Sequence, residues 1–213
     1  MQLILRESNS REAIAGVQVS CRTPVSWSAV SDALGSVVLP SLAGDRITLT
    51  LTQAEFALQP ENASVDLNLG VVTVLDLTRQ LQTVIVKRIH PKYLERRYGH
   101  WWIEIDGTRS YGWWPRTRVS LWQTFFGVEG SLNRGGVRAG GSLDRDPHHG
   151  EIAERQFHPM VVSGASADAV KTCLRRFAED CRGAWQWFFG LGQNCHTFQR
   201  ALMRHCQLRE PGK

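Results

Sequence analysis

Apolar and polar positions alternate in short runs over residues 1–80. Val17–Cys21 (VQVSC), Gly35–Pro40 (GSVVLP), Arg46–Leu51 (RITLTL) and Val71–Leu77 (VVTVLDL) are rich in β-branched residues. That patterning predicts strands. Asp32 with Gly35, Gly44-Asp45 and Pro60-Glu61-Asn62 supply turns between them. Strands at this spacing, with no helical period between them, predict a small β-sandwich. This stretch holds no paired carboxylates, no glycine-rich phosphate loop and no Cys/His cluster.

The pattern changes near residue 80. LQTVIVKRI alternates like a strand, and HPKYLERRYG follows it as a basic join. Gly99–Ile105 (GHWWIEI) is a strong strand, Asp106-Gly107 a hairpin turn and Arg109–Pro115 the return strand. Residues 127–150, rich in Gly, Arg and Asp, read as a long surface loop. Ala167–Cys181 places Val170, Cys173, Leu174, Phe177 and Cys181 at helical spacing. Asn194 is a good N-cap for a last helix, Cys195–Cys206, with Phe198, Leu202 and Cys206 on one face. The fold class expected is therefore α+β: a β-sandwich over residues 1–80, then a mixed domain over 81–213.

Composition sharpens this. At 213 residues and 42% hydrophobic the chain can bury a sizeable core, which excludes a disordered or collagen-like protein. No run approaches the roughly 20 apolar residues of a membrane helix, so no membrane span is expected. MQLILRESNSRE turns polar too soon for a secretory signal, which points to synthesis in the cytoplasm. Residues 1–80 hold 5 Lys+Arg against 8 Asp+Glu, and residues 81–213 hold 20 against 12. The second part should favour an anionic partner. It has no basic run and no helix-turn-helix or zinc-finger spacing, so nucleic acid is not expected. The five cysteines, Cys21, Cys173, Cys181, Cys195 and Cys206, do not read as a disulfide framework. Cys173 and Cys181 read as small buried apolar residues.

Cys195 stands apart. The first turn of a helix presents N–H groups and the positive end of the dipole, and both favour thiolate over thiol. In GLGQNCHTFQ, glycines allow close backbone approach, and Gln193 and Asn194 sit at the cap, beside any oxyanion. A thiolate needs a base. His196 points about 100° away around the helix, whereas His100 opens a strand directly after a glycine. DPHHG (Asp146–Gly150) with His158, or Cys195-His196 with His205-Cys206, lacks zinc-site spacing. No metal or other cofactor is expected, and His148 and His149 are expected to line or gate a cleft. The tryptophans are core by default, with Trp102, Trp113 and Trp114 as candidates to line a substrate groove together with His149.

Two resemblances extend this reading. GVQVS followed by SDALGSVVLPSLAGDRITLTL is similar to transthyretin-like (carboxypeptidase-regulatory-like) modules, which are mostly non-catalytic docking domains. HWWIEI (His100, Trp101, Ile103) and NCHTF (Asn194, Cys195, Phe198) resemble the circularly permuted papain-like fold of NlpC/P60 and lecithin-retinol-acyltransferase-like enzymes. SYGWWP (Ser110–Pro115) resembles a segment of bacterial relatives. The resemblance implies Cys195 as nucleophile and His100 as base. The family's third polar residue would fall near Ser110–Gly112, where no histidine stands. Glu104, on the face of His100, and Tyr111 are the substitutes. The implied activity is hydrolysis of amide bonds in bacterial peptidoglycan peptides. Acyl transfer or hydrolysis on lipid esters is the alternative, and a degenerate, non-enzymatic adaptor the second alternative. The layout resembles effectors of type VI secretion. That implies delivery to a target-cell periplasm, a docking protein of the secretion apparatus for the first domain, and an immunity protein.

Overall fold

A computed structural model describes residues 1–22, 26–40, 46–66, 72–89, 99–117, 119–133, 145–188 and 191–212. The expected turn at Gly44-Asp45, the first residue of the Val71 strand, most of the HPKYLERRYG join and the paired glycines at 135–136 and 140–141 lie outside those residues. The chain is α+β, with strand well in excess of helix. It forms two compact units: Met1–Gln82 with Met160–Ala167, and Thr83–Pro159 with Asp168–Lys213. A single cut near residue 80 does not include the return of Met160–Ala167 to the first unit.

The first unit holds two sheets. In one, β3 (Trp27–Val30), β2 (Gln18–Cys21), β5 (Arg46–Thr52) and β7 (Asn62–Asp66) lie side by side in that order, all antiparallel. In the other, β1 (Gln2–Glu7) lies between β4 (Ser36–Val38) and β8 (Thr73–Leu81), antiparallel to the first and parallel to the second. β6 (Phe56–Gln59) and β15 (Met160–Val161) both pair antiparallel with β8. Alternation sets the core: Ile47, Leu49 and Leu51 of β5 are buried and the residues between them exposed. The turn before β4 follows from Asp32, whose Oδ1 accepts the N–H groups of Leu34 and Ser36, each at 2.8 Å. Gly35 has φ +69°, and a side chain there would overlap Leu5 O. Fully buried Arg79 explains the return of the chain. Its guanidinium donates to Ser163 O and to Ala165 O, and lies 4.7 Å over the Phe56 ring. Burial lowers its pKa to about 10.

In the second unit β11 (Arg109–Tyr111), β10 (His100–Ile105), β9 (Val84–Ile89) and β14 (Arg155–Phe157) form an antiparallel sheet in that order. A second sheet joins β12 (Trp113–Pro115), β13 (Val128–Leu132) and β16 (Ala184–Trp185). Two helices match the expected periodicity, α2 (Ala167–Asp180) and α3 (Cys195–His205), and α3 packs on β10. A short helix, α1 (Leu121–Phe126), starts at a Ser120–Gln123 capping box and has no buried residue. β13 overturns part of the expected loop: Val128–Leu132 pairs on both sides, with Gly130 against the Trp113 ring. β17 (Leu208–Arg209) follows α3. Cys173, expected as a small buried apolar residue, instead forms a disulfide with Cys206, with Cα atoms 5.7 Å apart, joining α2 to the end of α3, while Cys181 is free and only half-buried. Among the described residues no helix is long and apolar enough to cross a membrane.

Candidate active site

The site starts from the N-terminus of α3. Asn194, in extended backbone, accepts the N–H groups of His196 (3.0 Å) and Thr197 (3.1 Å) on its side chain. Its own N–H donates to Thr197 Oγ1 at 2.8 Å. This cap fixes Cys195 as the first residue of the helix, half-buried, with its thiol 3.8 Å from Gly99 O. The carbonyl belongs to the residue before His100, so the start of β10 meets the start of α3. The Cys195 sulfur lies near enough to the His100 imidazole to favour its charged form. The cap takes the N–H groups of His196 and Thr197, so fewer first-turn donors remain for an oxyanion than the helix start alone promises; the Cys195 N–H is not taken by the cap.

A carboxylate completes the group. Asp146, 2% exposed, places Oδ2 2.9 Å from His100 Nε2. The same oxygen accepts Trp114 Nε1–H at 2.7 Å, and Oδ1 accepts the His148 N–H at 2.9 Å. The backbone of Asp146 is pinned in turn, its N–H donating to Ser110 Oγ at 2.7 Å. Burial opposes charge on His100, but the Asp146 carboxylate and the Cys195 sulfur outweigh it and push the imidazole up to about 10. Burial likewise works against an ionised Asp146, yet His100 and the donors from His148 and Trp114 hold its pKa below the usual carboxylate value. A thiol, an imidazole and a carboxylate in series form a nucleophile–base–orienter arrangement.

No protein-family model, curated protein or solved structure matches this chain.

The expected third residues stand elsewhere. Glu104 shares the face of His100, but its carboxylate takes Trp102 Nε1–H (2.8 Å), Lys87 Nζ (2.9 Å) and the Gly150 N–H (2.9 Å). These partners lower its pKa against the effect of burial. Glu104 thus orients Trp102 and does not reach the imidazole. Tyr111 is buried and lies directly across from Ile103, on the face of β10 opposite His100. The position where the histidine was missed nevertheless matters: Ser110 holds the Asp146 backbone, and Gly112 leaves room for its carboxylate. A Cβ on Gly112 would overlap Asp146 Oδ2 and lie 2.9 Å from His100 Nε2.

The expected groove residues divide. Trp102 is fully buried and stacks on His100 at 5.8 Å, so it is a wall and not a substrate surface. Trp113 is core, packed on Phe198 at 6.0 Å. Trp114 is half-buried, with its ring 3.9 Å from that of His100. From the DPHHG turn it is His148 that faces the site, its ring 5.4 Å from His100. His149 closes the turn by donating its N–H to Asp146 O at 2.9 Å. Gln193 is turned away: Nε2 contacts Cys181 Sγ at 3.6 Å and Arg182 O at 3.2 Å. The segments weighed as metal ligands have other partners. His148 Nδ1 pairs with Glu151 at 2.8 Å, His158 Nδ1 with Val84 O at 3.0 Å, and Cys206 is in the disulfide.

Sequence reasoning weighed Asp146 only as part of a metal site. The available signal was chemical: an Asp-Pro turn in the same domain as a Cys/His pair that lacked an orienting carboxylate.

Proposed function

We propose that the second unit is a cysteine hydrolase of permuted papain-like type that cleaves amide bonds of bacterial peptidoglycan peptides. The observation that carries the chemistry is the Cys195–His100–Asp146 series at a helix N-terminus. In this reading Asp146 holds His100 Nε2, which leaves Nδ1 to exchange a proton with sulfur. The Cys195 thiolate attacks the carbonyl carbon, and the oxyanion forms beside the Cys195 N–H. His100 then protonates the departing amine, leaving a thioester on sulfur. Water attacks the thioester as His100 takes its proton, releasing the acid and restoring the thiolate beside a protonated His100. Asp146 also answers the missing third residue, the strongest reason for reading the site as degenerate. The first unit fits a transthyretin-like docking module, and the basic second unit fits an anionic envelope. Delivery by a secretion apparatus, with an immunity protein in the producer, belongs to the same proposal.

One observation favours the second reading, hydrolysis or transfer on lipid esters. Leu121, Trp122 and Phe126 of α1, with Phe188 and Leu191, are exposed. Phe125 meets Phe188 edge-on at 6.5 Å, and Leu191 lies four residues before Cys195 in the chain. Exposed apolar side chains of this kind suit an acyl chain or a lipid surface.

The test is incubation with purified sacculi and with phospholipid vesicles, with Cys195→Ala and His100→Ala as controls. New peptide ends that vanish in both variants support the first reading. Fatty acid release with the same dependence replaces it by the second. No product from either leaves no support for hydrolysis.

A further inference from the structure

Behind the thiol and imidazole, the residues next in sequence to them, His196 and Trp101, stack at 5.5 Å and form one wall of a groove of about 490 Å³. Five arginines line it: Arg88 of β9, Arg155 of β14, Arg200 and Arg204 of α3, and Arg209 of β17. With Glu210 the lining carries a net charge of +4. Arg155 forms an ion pair with Glu210, a pair already counted in that sum.

Two placements make this costly. Arg88 and Arg155 are directly opposed across the antiparallel β9–β14 pair, where like charges destabilise. Arg200 and Arg204 are four residues apart on α3, where like charges also repel. The two repulsive pairs come from different elements and converge on one cavity. Arg88 also sits over the Trp101 ring at 5.4 Å, so the groove has an aromatic side. Concentrated guanidinium forks are what binds phosphate oxygens in more than one direction. A single carboxylate would neutralise one charge. One phosphate monoester carries about −1.5 to −2, so two linked phosphates come nearer to the net charge of the lining. The volume lies within the range of small-ligand sites.

We propose that this groove binds the diphosphate group of a small organic molecule, with the Trp101 side taking its organic part. The site stands whether or not Cys195 acts as a nucleophile.

The test is calorimetry on the full chain with inorganic pyrophosphate, orthophosphate and citrate, at low salt and at 0.5 M NaCl, on wild type and on the Arg200→Gln/Arg204→Gln variant. Both substituted residues are exposed on α3, and glutamine keeps helix propensity. Pyrophosphate should bind about tenfold or more tightly than citrate, and the variant should lose about tenfold or more of that affinity. Without ligand the variant should melt no lower than wild type, because a repulsive pair is gone. Pyrophosphate should raise the melting temperature of wild type more than that of the variant. A nucleoside diphosphate and vesicles bearing an isoprenoid diphosphate lipid then separate a soluble carrier from a lipid one, and tighter binding than pyrophosphate by either supports the organic part. Equal binding of citrate and pyrophosphate, unchanged binding by the variant, or a variant less stable without ligand would each overturn the proposal.

Discussion

His100 is a histidine in a buried setting that would by itself favour the neutral ring, yet its neighbours keep it protonated up to about pH 10. Because the folded-state pKa lies above the reference value of 6.5, the associated stability is complete below about pH 6.5 and is lost as pH rises through about 10. Chemical denaturation at pH 7, 8.5 and 10 should show wild type weakening across that window and Asp146→Asn weakening much less. Parallel slopes in the two proteins would remove Asp146 as the source. Asp146→Asn should also slow turnover by roughly 10²–10⁴-fold, the range of a mispositioned proton-transfer group. Gly112→Ala should produce a similar loss without altering any charged group, because its methyl would occupy the place of the Asp146 carboxylate. Gly112→Ala protein that matches wild type in the proposed hydrolysis would contradict that packing. The positions of Cys195 and His100 at the start of a helix and of a strand were legible in local sequence, from a cap before one and a glycine before the other. Asp146 was not, since its partner is 46 residues away and it sits where no hydrophobic period constrains the chain. Glu104 was the wrong choice for a physical reason: the strand face was read correctly, but Lys87 on the neighbouring strand claims the carboxylate.

The elements that carry the site are tied at both ends of α3. At its start, Asn194→Ala should cost about 1 kcal/mol of stability, as N-cap losses do, and Asn194→Asp should retain most of it. At its end, the Cys173–Cys206 disulfide closes a segment with a sequence separation of 33. Chain-entropy arguments put that link at about 3–4 kcal/mol. A Cys173→Ser/Cys206→Ser variant should therefore have a lower urea midpoint and a somewhat larger m-value, because its denatured chain exposes more surface. Thiol titration of the denatured, unreduced chain should find three free cysteines, Cys21, Cys181 and Cys195; five would show the bond absent. Helical periodicity did place Cys173 and Cys206 on inward faces. It could not show that the two faces meet, because that depends on how α2 and α3 pack. The same limit explains β13. Its glycine weakens strand propensity, and only the large Trp113 ring lying against it makes Gly130 the residue that fits.

At the scale of the whole chain, charge and connectivity behave differently. Charge could be summed from sequence, and the division survives the actual boundaries. Residues 81–82 and Met160–Ala167 carry no charged side chain, so the first unit keeps the excess of acids and the second the excess of bases. Connectivity could not be read this way. Nothing in the pattern of Met160–Ala167 signals that it belongs with the first unit, because its anchor is the buried guanidinium of Arg79 some eighty residues earlier. The charge division has a consequence that needs no catalysis. A basic unit is drawn to an anionic wall by long-range attraction, which salt screens over about 10 Å at 0.1 M and about 3 Å at 1 M. Cys195→Ala protein, unable to release its substrate by cleavage in the proposed mechanism, should co-sediment with sacculi at low ionic strength and be progressively released as NaCl approaches 0.5 M. Sacculi stripped of their anionic polymers should retain less at every salt concentration. Retention that ignores both salt and stripping would mean that shape-specific contacts hold the protein on the wall, and the excess of arginines in the second unit would then serve only the groove behind the thiol.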